Sequence, residues 1–198
     1  MLIIGLTGPT GAGKTTALEV LGELGFTVVD CDALYDELLR WDESLKQELR
    51  GAFGDSFFQD GKLNKKALGK LVFADQKAMA RLNGIVFSAV GTAVEEIIEK
   101  STARGVVIDA INLVESGLAR RCDFTVALTA PAEVRLRRIM ARDGIDEAYA
   151  KSRMAAQKSD GFYKKHCTFL LENRASSKGE FRQLIREFFE DLMENMEE

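Results

Sequence analysis

A chain of 198 residues that is 46% hydrophobic and 29% charged, with only two prolines, has the composition of a folded protein with one substantial core, which argues against a disordered chain. A formal net charge of −4 speaks against broad nucleic-acid binding, although a local basic patch can still hold a small anion. Cys31, Cys122 and Cys167 are odd in number and widely spaced, and none forms a C-x-x-C pair. They read as reduced thiols of a cytoplasmic protein, with neither disulfides nor a zinc site expected. No secretory signal is expected at the amino terminus, and no apolar run approaches membrane-spanning length, so no membrane partner is expected.

In chain order, "LIIGLT" is a short apolar run ended by glycine and suits a buried strand. From Thr15 to Leu24, the residues Leu18, Leu21 and Leu24, with Ala17 and Val20 beside them, form one helical face, and Gly25 follows as its C-cap. "FTVVD" reads as a second strand ending at Asp30; "GVVIDA" and "DFTVALT" are two more. Strands alternating with helical patterns predict an α/β fold, a parallel sheet covered by helices on both faces. The chain closes in an amphipathic helix carrying Phe181, Leu184, Ile185, Phe188, Phe189, Leu192, Met193 and Met196 on one side. Ser177 and Glu180 stand before it with capping-box spacing, and its acidic outer face reads as solvated surface.

The chemistry is concentrated in "GLTGPTGAGKTT". Gly8, Gly13, Lys14 and Thr15 satisfy G-x-x-x-x-G-K-[ST], the P-loop pattern, between the expected strand and helix. Glycines at 8, 11 and 13 let the backbone wrap closely around phosphate oxygens, and amides at the following helix start favour negative charge. Ala12 and Thr16 belong to the same nucleotide-binding stretch. Lys14 is expected to reach the β- and γ-phosphates of ATP, and the Thr15 hydroxyl to ligate Mg²⁺.

A signalling GTPase would carry an N-K-x-D motif, but "NKKA" at Asn64 to Ala67 lacks the aspartate. The size suits a kinase for a small metabolite. Asp30 and Asp32, at the carboxyl end of the second strand, are candidate acceptor-site carboxylates; the bland alternative is a helix cap. In "EVRLRRIMARDGI", Arg135, Arg138 and Arg142 share a helix face while Arg137 points elsewhere, which suits either a phosphate-gripping lid or an exposed basic face. His166 reads as a surface residue, Cys31 as packing, and Trp41 as core in preference to a stacking surface.

The ordered set of "GLTGPTGAGKTT", "VVDCDAL", "DGKLNKKAL", "LVFAD", "RLNGI", "DAINLVESGL", "CDFTVALTA", "RRIMARDGI", "MAAQK" and "LLEN" resembles the dephospho-coenzyme A kinases over nearly the whole chain. The resemblance implies a three-layer P-loop kinase fold with a parallel sheet core (about 1–32, 104–131 and 159–198). It further implies an inserted helical substrate lobe (about 33–103) and a helical lid (about 132–158). It implies transfer of the ATP γ-phosphoryl group to the ribose 3′-hydroxyl of dephospho-coenzyme A with Mg²⁺, by a monomer or weak homo-oligomer. Asp32 matches the family's catalytic aspartate, Arg138 and Arg142 the lid arginines, and Asn173 a segment near the adenine. Phe87-Ser88, Ile111-Asn112, Arg135 and Cys167-Thr168 stand where the family usually has His-Pro, Pro-Leu, Gln and Ala-Asp. Two alternatives stay open: a nucleotide-binding sensor that has lost acceptor recognition, and a kinase for another nucleoside-like hydroxyl.

Overall fold

A computed structural model describes residues 1–197, with side chains to Glu194, so Met196 of the closing helix lies outside the described side chains. The chain divides into two compact units, residues 1–29 with 101–198, and residues 30–100.

The first unit is built on a five-stranded sheet in the order β2-β5-β1-β6-β7. Its strands are β1 (Leu2–Thr7), β2 (Phe26–Asp30, whose last residue opens the second unit), β5 (Gly105–Asp109), β6 (Phe124–Thr129) and β7 (Phe169–Glu172). The pairings β1–β5, β1–β6 and β6–β7 are parallel, with Ile4 opposite Val107 and Phe124, and Leu128 opposite Leu171. Every residue of β6 is buried, Thr125 and Thr129 included, as expected when both faces of a parallel sheet are covered.

On one face lie α1 (Lys14–Glu23) and α9 (Lys178–Glu197). Ala17, Val20 and Leu21 of α1 join Phe181, Ile185, Phe189 and Met193 of α9 in one cluster with Ile4, Leu6, Val126 and Leu128. The polar edge of that contact is also paired: Arg182 reaches Glu19 at 2.9 Å, and Arg186 reaches Glu23 at 2.8 Å. Helix α1 stops one residue earlier than its apolar pattern suggests, with Leu24 as C-cap and Gly25 in the left-handed region beyond it. At α9, Ser177 Oγ accepts from the Glu180 N–H, but the Glu180 carboxylate turns to the N–H and hydroxyl of Ser176, not to Ser177. The expected capping box is therefore shifted by one residue on its return side. Between β6 and β7 come α6 (Ala132–Asp143), α7 (Glu147–Ala155) and α8 (Asp160–His166).

The second unit is helical: α2 (Cys31–Trp41), α3 (Glu43–Phe53), α4 (Lys65–Ala74) and α5 (Gln76–Lys100). Its apolar stripes meet through Leu38, Leu45, Leu49, Leu68, Val72, Val90 and Val94, all buried. A hairpin of two-residue strands, β3 (Phe58–Gln59) and β4 (Lys62–Leu63), interrupts the helices and was not legible from periodicity. Asn64 accepts from the Ala67 N–H, so "NKKA" is a helix start. Trp41 corrects the sequence expectation: it is 65% exposed rather than core. It is the last residue of α2, where Asp42 turns the chain into α3 and Leu45 and Leu49 take the inner positions.

Phe189 is fully buried where α9 meets the sheet. Phe189→Ala is expected to lower unfolding free energy by about 3–5 kcal/mol in urea denaturation, by lost transfer energy plus a cavity; a loss near zero would show that α9 is not part of the core.

Candidate active site

Between β1 and α1 the backbone takes a form that only glycine tolerates. Gly8 has φ 133°, and a Cβ there would stand 2.1 Å from the carbonyl oxygen of Leu128. Gly13 has φ 112°, and a Cβ would meet the Phe181 ring at 2.7 Å and Asn173 Nδ2 at 2.8 Å. Gly11 has φ 84°. Gly13 is also the N-cap of α1 and brings no side-chain acceptor, so the Lys14 and Thr15 amides are left for an anion while the Thr16 N–H bonds the Gly13 carbonyl at 3.0 Å.

The rear of the loop is held by three side chains from two later segments. Arg135 Nε donates to the Thr10 carbonyl at 3.0 Å, Arg138 Nη1 to the Gly11 carbonyl at 3.1 Å, and Asn173 Nδ2 to the Ala12 carbonyl at 2.9 Å. A planar trans peptide sends its N–H opposite to its C=O. Drawing these carbonyls backward therefore turns the N–H groups of Gly11 and Gly13 toward the front of the loop. The Ala12 N–H is engaged with Pro9 O at 3.3 Å. Lys14 Nζ arches over the loop to the Gly8 carbonyl at 3.2 Å, a weak contact that a phosphate oxygen can replace. Thr15 is exposed in the first turn of α1, and Thr16 behind it is half-buried.

The other expected residues lie in different settings. Asn173 is 1% exposed, and its amide oxygen accepts from Ala175, so its side chain supports the loop from behind. Arg142 does not reach the loop. It makes two hydrogen bonds to Asp143, at 2.6 and 3.0 Å, and Arg153 adds a third at 2.5 Å. The Arg142 hydrogen bond, with that of Arg153, pulls the Asp143 carboxyl down to about 2 against the opposing effect of desolvation. Asp30 is the N-cap of α2, accepting from the N–H groups of Asp32 and Ala33 at 2.9 and 3.0 Å. Asp32 belongs to the second unit, exposed in the first turn of α2.

Gln157 is the loop contact that motif spacing missed: Nε2 donates to Thr10 Oγ1 at 2.7 Å and Oε1 accepts from Arg135 at 2.7 Å. It lies in the quoted "MAAQK", but no pattern signalled its partner. Burial pushes the Cys122 thiol up to about 12 and raises that of Cys167, so neither is a ready nucleophile. Among the described residues no group of three or more His, Cys, Asp or Glu side chains could hold a metal ion, and no helix is long and apolar enough to cross a membrane.

A family model described as dephospho-CoA kinase (CoaE) matches residues 2–179. The chain belongs to the dephospho-CoA kinase family. A dephospho-CoA kinase from Moorella thermoacetica is 33% identical, with 96% of each chain covered. One from Mycolicibacterium paratuberculosis is 40% identical over 89% of this chain, which spans only 44% of that relative's length. A crystal structure from Thermus thermophilus has a TM-score of 0.79 at 33% identity, covering 96% of this chain and 97% of that one. A shikimate kinase from Acinetobacter baumannii shares the fold at a TM-score of 0.57 and 17% identity, covering 98% of this chain and 94% of that one.

In this family member the Asp143 pairing contributes fully above the ordinary Asp value of 3.8 and is lost as pH falls toward about 2. Carboxyl NMR titration is expected to place the Asp143 midpoint near the lower value, and Arg142→Ala to move it upward. A midpoint at the ordinary value would contradict the pairing.

Proposed function

We propose that the chain transfers the γ-phosphoryl group of ATP to the ribose 3′-hydroxyl of dephospho-CoA, releasing ADP and coenzyme A. The observation that carries it is the loop whose rear carbonyls are held by Arg135, Arg138 and Asn173, leaving amides for phosphate oxygens in a chain of this family. The P–O bond to the β-phosphate breaks as the 3′-oxygen bonds to phosphorus. The hydroxyl proton passes toward Asp32, which orients the hydroxyl. Because the transition state is loose, an ordinary aspartate suffices and position matters more than basicity.

Gly8, Gly11, Ala12, Gly13 and Thr16 form the cradle in this proposal. Lys14 leaves the Gly8 carbonyl for the β- and γ-phosphates. Arg138, half-buried beside the loop, and Arg142, once released from Asp143, are the lid cations. Asn173 serves the nucleotide from behind the loop. The exposed Thr15 hydroxyl fits Mg²⁺, because phosphate oxygens and water supply the remaining ligands that the protein's donor set lacks. When bound, the ion would neutralise charge between the β- and γ-phosphates. Residues about 33–103 are assigned as the coenzyme lobe and about 132–158 as the lid, in a cytoplasmic monomer or weak homo-oligomer. Phe87 and Ser88 lie on α5 of that lobe, the former half-buried and the latter exposed.

Coupled ADP assays with dephospho-CoA, nucleosides, nucleoside monophosphates and shikimate test the assignment. Turnover is expected with dephospho-CoA alone, and Asp32→Asn is expected to cut kcat by about 10²–10⁴-fold. Lys14→Ala is expected to abolish turnover with the fold intact by circular dichroism. Near-normal turnover of Asp32→Asn, or rapid turnover only with a different acceptor, would contradict the proposal.

A further inference from the structure

Arg135 is only 8% exposed as a residue, yet its guanidinium faces the carbonyl side of the phosphate loop and not the amide side. A cation in that position needs a role that phosphate contact does not supply. Three hydrogen bonds close a ring: Arg135 Nε to Thr10 O at 3.0 Å, Arg135 Nη2 to Gln157 Oε1 at 2.7 Å, and Gln157 Nε2 to Thr10 Oγ1 at 2.7 Å. We propose that Arg135 and Gln157 are positioning residues that latch the Thr10 peptide and so hold the loop's amides in the orientation that receives nucleotide phosphates.

The ring uses one edge of the planar guanidinium fork to address two acceptors at once, and both ends of the Gln157 carboxamide. A lysine could not span it. Each anchor is itself fixed. The α6 backbone lies against the loop, because a Cβ at Gly11 would stand 3.0 Å from Arg135 O and 3.1 Å from its Cα. Gln157 follows the Ala156 C-cap of α7, its N–H bonded to Met154 O at 3.1 Å, and the next residue, Lys158, pairs with Glu115 at 3.0 Å. Arg135 stands in the first turn of α6 and Gln157 just past the end of α7, so the latch ties both ends of that helix pair to one loop peptide. Arg138 and Asn173 secure only the two following peptides, which leaves the crown of the loop dependent on this ring.

Because the loop grips phosphate before and during transfer alike, losing the latch weakens nucleotide binding more than it slows the chemical step. The inference rests on the nucleotide-site assignment above, but its first test does not. Hydrogen exchange of the protein without nucleotide is expected to speed up at Ala12, the loop amide held by the Pro9 carbonyl, in Arg135→Ala, Gln157→Ala and Thr10→Val, with β1 and β6 unchanged. Calorimetry is then expected to show ATP Kd raised about 3–10-fold by each variant, the worth of one charge-assisted or neutral hydrogen bond. At saturating ATP, kcat and the KM for dephospho-CoA are expected to stay within about twofold of wild type. Arg135→Lys is expected to recover little of the loss, and Arg135→Ala with Gln157→Ala to be no worse than about twofold beyond the larger single effect, because the ring opens once.

Should the buried Arg135 variants fail to fold, Gln157→Ala and Thr10→Val decide the matter. Unchanged loop exchange in both, independent multiplicative losses, or a fall in kcat with ATP affinity intact would overturn the latch. Faster loop exchange with no nucleotide binding by the wild type would leave the latch standing and remove the nucleotide assignment.

Discussion

A trans peptide cannot send its carbonyl and its N–H to the same side, and the phosphate loop is organised around that constraint. Turning amides toward an anion means turning carbonyls toward the protein, where each needs a donor. Arg135, Arg138 and Asn173 are those donors, and they come from two segments more than 120 residues along the chain. The five-stranded parallel sheet puts β1, α6 and the residues after β7 beside one another, so the fold delivers three donors to three consecutive loop carbonyls. The positive φ of Gly8, Gly11 and Gly13 follows from the same demand, since backbone this close to Leu128, Arg135 and Asn173 leaves no room for a side chain.

Charge is distributed by the same economy of partners. Lys14 rests on a carbonyl, and Arg142 on Asp143, so neither cation is left unsatisfied before a nucleotide arrives. The Asp143 carboxylate, held between Arg142 and Arg153, keeps α6 and α7 paired and gives Arg142 a defined resting position. Exchange of those partners for phosphate oxygens is the charge rearrangement that the proposed reaction requires. Arg135 differs: its burial draws its pKa down, opposed by Asp160 and Tyr163, and its bonds run to backbone and amide.

Much of this was legible in the sequence, for reasons that differ by element. The strands β1, β5 and β6 are short and mostly apolar and announce themselves by composition, and the glycine spacing announces the loop. Helix α9 shows its face by 3.6-residue periodicity. The hairpin of β3 and β4 is too short for any period to register. Trp41 misled because tryptophan is on average well buried, whereas here it is the last residue of α2 and 65% exposed. The capping residue Asp30 and the exposed Asp32 look alike in sequence; only the hydrogen bonds from Asp32 N and Ala33 N separate them. Gln157 was illegible because its partners, Thr10 and Arg135, are distant in sequence and no local pattern encodes that pairing. Resemblance supplied the family, which residues 2–179 then matched; spacing alone supplied only a phosphate site.

Nitrogen-15 NMR of the backbone amides during titration with MgATP tests the central claim most directly. The account predicts downfield movement of the Gly11, Gly13, Lys14 and Thr15 amides as they take up phosphate oxygens, with the buried amides of β6 nearly still. Nucleotide-induced shifts gathered elsewhere, with those four amides unmoved, would contradict it.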